Sequence, residues 1–163
     1  MPTVREIEES LFTLAPREGA MEWDNVGHLV GDPEAQVSRV LVSLDITQAV
    51  AEEAIAAGCQ LIVSHHPVMN VRWHEREMQT LRPDTRLGGV LTTLVKNDIS
   101  AICMHTNLDA ADGGVNDCLA KKLGLNDVFL LNDEKIGRIG TLSCEKGLEE
   151  FLRDVIELLG CGG

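Results

Sequence analysis

Three short apolar runs, separated by helix-patterned stretches, constrain this chain more than any other feature. Residues 40–44 read VLVSL, 60–64 read QLIVS and 99–104 read ISAICM. Runs this short and this continuous suit strands covered on both faces, as in a parallel sheet. Thr47 is placed to cap a helix running to Gly58, with Val50, Ala54 and Ile55 turned inward. Residues 88–97 set Val90, Leu91, Leu94 and Val95 on one helical side. Strand–helix–strand alternation predicts right-handed βαβ units. The expected class is α/β, a mostly parallel sheet with helices on both faces.

The flanking segments extend this plan. Thr3 and Glu6 form a capping-box pattern, and Val4, Ile7, Leu11 and Leu14 follow at helical spacing until Pro16. Asp112 is placed to cap a helix through Val115, Leu119 and Leu123, closed by Gly124. Residues 127–131 and 136–143 read as two less regular strands, and 148–159 as a last helix before Gly160. The polar stretch from about 70 to 86 reads as a solvated excursion or a lid. Residues 1–125 are expected to form an α/β lobe, and 126–163 the start of a second lobe or an incomplete C-terminal part.

Composition excludes several functions. The chain has 163 residues, is 44% hydrophobic and carries a formal net charge of −12. That is enough for a substantial core, and the acidic balance lacks the basic footprint of a nucleic-acid binder. Tyr is absent and aromatics make up 3%, which leaves little for base stacking. No apolar run approaches the roughly 18 residues of a membrane span. Glu6, Glu8 and Glu9 do not fit a signal peptide. The five cysteines are odd in number and no pair is spaced C-x-x-C, so reduced thiols in a cytoplasmic protein are expected.

In open parallel sheets, ligands bind beyond the carboxyl ends of the strands. Two polar clusters fall there: Ser64-His65-His66-Pro67 and His105-Thr106-Asn107-Leu108-Asp109. Imidazoles and a carboxylate at one edge suit a divalent transition metal. His65 and His66 would point to opposite faces of a regular strand, so two adjacent metals or a bend before Pro67 is needed to use both. Asp109 could bridge two ions, an arrangement that activates water for hydrolysis. His105 is open to two roles: donating a hydrogen bond to a ligand, or acting as a general acid or base. Cys103, inside the apolar run, reads as core. Asp112-Gly113-Gly114-Val115-Asn116 reads as an anion-binding helix start or a plain turn. Trp23-Asp24-Asn25 reads as a packed turn, and His28 and His74 as non-ligands.

Glu22-Trp23-Asp24-Asn25-Val26-Gly27, Ser64-His65-His66-Pro67, His105-Thr106-Asn107-Leu108-Asp109 and Asp112-Gly113-Gly114-Val115-Asn116, in that order, resemble one family. It is the GTP cyclohydrolase I type 2 homologue family (NGG-one-interacting-factor-three-like), described as dinuclear-metal and hexamer-forming. The resemblance covers nearly the whole chain and corresponds to the N-terminal portion of a complete member. It implies that His65, His66 and Asp109 are metal ligands, with a further His and Glu near the C-terminus of complete members. It implies zinc, iron or manganese, up to two per site, and a cytoplasmic homo-oligomer, a hexamer in the family. The expected function is metal-dependent hydrolysis of a small molecule, with His105 as the catalytic residue; the alternative is a metal-binding regulatory module without turnover.

Overall fold

The computed structural model describes residues 1–69 and 80–161. Most of the polar stretch at 70–86, and His74 with it, lies outside them. The chain forms two compact units, Met1–Leu108 and Asp109–Gly163.

The first unit is built on a four-stranded sheet of order β1-β4-β3-β2. Its strands are β1 (Gly27–Val30), β2 (Val40–Ser43), β3 (Leu61–Ser64) and β4 (Ser100–Cys103). β2, β3 and β4 are parallel, whereas β1 pairs antiparallel with β4. Helix α2 (Gln48–Ala57) joins β2 to β3, and α3 (Arg86–Lys96) joins β3 to β4. The two crossovers step the same way across the sheet, so right-handedness sends both helices to one face. There Ala51, Ala54, Val90, Leu91 and Leu94 pack with Ile62 and Ala101 in a single core cluster. Helix α1 (Val4–Leu14) serves the other face, where Leu11 and Ala15 line a cleft with Val42 and Val63.

Local chemistry explains the helix ends. The Thr3 hydroxyl accepts from the Glu6 N–H while the Thr3 N–H donates to Glu6, the reciprocal pair of a capping box. The Thr47 and Thr85 hydroxyls cap α2 and α3 by accepting from the Val50 and Gly88 N–H groups. Gly58 ends α2 in the left-handed conformation at φ 66°, which costs a residue without Cβ almost nothing.

Several expectations need correcting. β2 is an edge strand: Val42 is 78% exposed, so the run 40–44 is not covered on both faces. Val95 and Ile55 stand outward, while Ala51 takes a buried place on α2. β1 was not expected at all. Its four residues include His28, whose Nε2 pairs with the Val30 carbonyl at 2.7 Å, and the ladder is bulged between His28 and Val30.

In the second unit, α5 (Val115–Lys122) precedes the antiparallel pair β5 (Asn126–Leu130) and β6 (Arg138–Thr141), and α6 (Leu148–Leu159) follows. Gly114, not Asp112, occupies the cap of α5 and supplies no side-chain bond. The Gly113 N–H donates to Asp117 Oδ2 at 2.6 Å, which is the plain-turn reading of this segment. Asp117 also accepts from the buried Arg138 guanidinium. That hydrogen bond, and the one from Gly113, hold the Asp117 carboxyl below its ordinary value of 3.8. A depressed carboxyl stabilises the fold above its unfolded value and loses that contribution as pH falls through the folded one. The thermal midpoint should therefore drop as pH falls below that ordinary value. Asp117→Asn should flatten that drop and cost about 1–2 kcal/mol at neutral pH, between exposed and buried ion pairs. Melts followed by circular dichroism as pH falls check both, and an equal acid response in Asp117→Asn would refute the assignment.

Candidate metal centre

Register carries the site. Ser64 of β3 lies opposite Cys103 of β4, and the Met104 N–H donates to the Ser64 carbonyl at 2.9 Å. The carboxyl ends of the two strands are thus level, and the segments after them emerge side by side. β3 ends at Ser64, so the alternation of a strand no longer separates His65 from His66. The turn is held by Ser64 Oγ donating to the His66 carbonyl (2.8 Å) and Cys103 Sγ donating to the His65 carbonyl (3.1 Å). Both rings come to one side, with centroids 5.0 Å apart.

His105 completes the group. Its ring centroid lies 5.0 Å from that of His65 and 5.5 Å from that of His66. The three residues each offer a ring nitrogen, and these atoms all lie within 4.8 Å of one another. Each Nδ1 meets an acceptor: the Met104 carbonyl for His65 (3.1 Å), Asp45 Oδ1 for His66 (2.9 Å) and Asp24 for His105 (2.9 and 3.0 Å). Imidazoles oriented by such outer partners are the usual donor set for zinc and related ions. The residues present therefore fit a divalent metal.

Burial is graded across the group. The His105 side chain is buried beside Trp23, whose ring meets it edge-on at 6.3 Å, while the His66 side chain is 41% exposed. The site is rooted in the fold and open at one side. There, a cleft of about 1360 Å³ is lined by His66, Asp45, Gln48, Pro67, Arg86 and Thr93 among others.

Asp24 is the partner of the histidine group that sequence reasoning missed. Besides His105, it accepts from the Asn25 N–H, the Thr106 N–H and the Thr106 hydroxyl. Burial pushes its carboxyl upward, and the hydrogen bonds from Thr106, His105 and Asn25 outweigh that and hold it below its ordinary value. The Trp23-Asp24-Asn25 segment reads as a packed turn and is one, and nothing local in it points to His105. Cys103 is fully buried, and burial, with the Asp24 charge second, pushes its thiol far up, as a core residue requires.

Asp109 opens the second unit, in the short helix α4 (Thr106–Ala110), and its carbonyl accepts from Asn116 Nδ2 at 2.8 Å. His28 is engaged within β1. Among the described residues, no helix is long and apolar enough to cross a membrane.

Fold and site together define an α/β protein with a three-histidine candidate metal centre at the carboxyl edge of a mostly parallel sheet. The chain belongs to the Duf34/NIF3 (NGG1p interacting factor 3) family, whose model matches residues 2–163. It is similar to a Streptomyces coelicolor protein named GTP cyclohydrolase 1 type 2 homolog, with 44% identity over 128 residues, 78% of this chain and 43% of that protein. A Clostridium perfringens protein of the same name is 35% identical over 163 residues, 96% of this chain and 60% of that one. Among solved structures, the Staphylococcus aureus hypothetical protein SA1388 aligns with a TM-score of 0.83 at 27% identity, over 97% of this chain and 64% of that one. The chain thus spans 43% and 60% of the length of the two named relatives.

Proposed function

We propose that this chain supplies the histidine part of a metal-dependent hydrolase site acting on a small molecule. The observation that carries the reading is the convergence of the His65, His66 and His105 ring nitrogens within 4.8 Å at one sheet edge. A zinc, iron or manganese ion held there would act as a Lewis acid toward a substrate oxygen and toward water. His65 and His66 would hold the ion, with Asp109 as the carboxylate ligand that the family resemblance implies and a second ion in the complete protein. His105 would face the same ion with its ring nitrogen, where it could also take a proton from the reacting water. The open cleft at His66 offers room for a substrate of nucleotide size. The names of the relatives agree with a nucleotide, and cytoplasmic homo-oligomeric assembly belongs to the same proposal.

The test is bound metal per chain, by elemental analysis after loading with zinc, manganese or iron(II). The wild type is expected to retain metal and His65→Ala/His66→Ala to lose it, with affinity falling by more than about a hundredfold. Wild-type protein that retains none after loading would overturn the proposal. Retained metal without hydrolysis of any nucleotide in a broad panel would favour the module without turnover.

A further inference from the structure

The three imidazoles are gripped unequally. Carbonyl and carboxylate oxygens only accept hydrogen bonds, so each gripped Nδ1 must carry the proton, and the neutral ring then has its lone pair on Nε2. For His65 the acceptor is backbone and fixed by the β4 end. For His66 it is Asp45, which is 56% exposed and open to competition from water. For His105 it is Asp24, whose side chain is fully buried. Asp24 Oδ1 is also bound by the Asn25 N–H, and Oδ2 by the Thr106 N–H and hydroxyl. A carboxylate held at both oxygens cannot rotate away from the ring it accepts from.

We infer that Asp24 is a positioning residue of the metal centre: it fixes His105 in the Nδ1–H tautomer and aims the Nε2 lone pair into the site shared with His65 and His66. This rests on the metal reading above. Among the described residues Asp24 reaches the site through His105, and it lies 81 residues away in sequence, on the loop ahead of β1. Outer carboxylates of this kind orient a histidine and raise its basicity toward a cation. The competing account is that Asp24 merely ties that loop to the turn after β4 through Thr106. The two accounts differ in what they require of the ring.

Long-range ¹H–¹⁵N NMR of the metal-free wild-type chain reads the tautomer of each histidine. His105 is expected with Nδ1 protonated and Nε2 bare, and an Nε2–H form would overturn the inference whether or not any variant folds. In Asp24→Asn the amide has one oxygen for two backbone N–H groups and the ring. His105 should lose its single tautomer, and the zinc dissociation constant by calorimetry should rise about 10–100-fold. Thr106→Val loosens Asp24 without touching the ring and should raise it by less than about threefold. Unchanged zinc affinity in a folded Asp24→Asn chain, or equal losses in both variants, would reduce Asp24 to a structural tie. Absence of zinc binding in the wild type would instead sink the metal reading and leave the tautomer result standing.

Discussion

Gly31→Ala should destabilise the first unit by about 2–6 kcal/mol, the sum of two separate costs. Gly31 follows β1 with φ 105°, a backbone region that L side chains rarely adopt. Holding alanine there costs about 1–3 kcal/mol. An added Cβ would also sit 2.2 Å from Ser100 Oγ and 2.8 Å from the Ser100 Cα. Ser100 is buried at the start of β4, between β1 and β3, so its backbone has little room to retreat. Overpacking of this kind adds about 1–3 kcal/mol. Gly58 is the internal comparison. It too is left-handed, at φ 66°, but an added Cβ there meets only Arg39 Nη1 at 4.0 Å. Gly58→Ala should therefore cost only about 1–2 kcal/mol, the price of the backbone region alone. Urea unfolding checks the pair through the midpoint at unchanged slope. Equal losses at both positions would show that the contact with β4 contributes nothing.

The same strand shows how far the sequence could be read. β3, β4, α2 and α3 were legible because most of their apolar positions are buried, Ile55 and Val95 excepted, and α2 carries the expected Thr47 and Gly58 at its ends. β1 was not. A four-residue GHLV strand that opens on Gly27 and is closed by Gly31 has no period to detect, and its pairing with β4 is a contact across more than 70 positions in sequence. β2 looked like an inner strand because Val40, Leu41 and Val42 are all apolar, and only the strand order shows it at the edge. In the site, His65, His66 and His105 could be nominated from their place after the strands. Their convergence depends on the Ser64–Cys103 register, which no local pattern encodes. Asp24 was invisible as a partner for the same reason: its role exists only once β4 is placed beside the loop before β1.

Asn107→Leu should have an effect of similar size, and it should reach the metal centre. Asn107 is 1% exposed, and its amide serves two backbone groups at once. Nδ2 donates to the Ala15 carbonyl at the end of α1 (2.8 Å), and Oδ1 accepts the His105 N–H (3.0 Å). Leucine leaves a buried carbonyl and a buried N–H unpaired, at about 1–3 kcal/mol each, so a loss of about 2–6 kcal/mol is expected. Because one orphaned group belongs to His105 itself, zinc affinity should fall in the folded fraction as well. Asn107→Asp separates the two bonds. Its Oδ1 can still accept from His105, but a carboxylate oxygen would face the Ala15 carbonyl, which repels it. Protonation cures that clash, because the acid can donate to the carbonyl as the amide did. The folded state should hold this proton above the unfolded value of about 3.9. The variant should then be most stable below that value and lose stability as pH rises through the raised folded one. That is opposite in sign to the response expected of wild-type Asp117, so unfolding followed from about pH 3 to pH 7 distinguishes the two carboxyls. A variant that instead gains stability with rising pH over this range would show that the Asn107 amide does not bond Ala15 as placed.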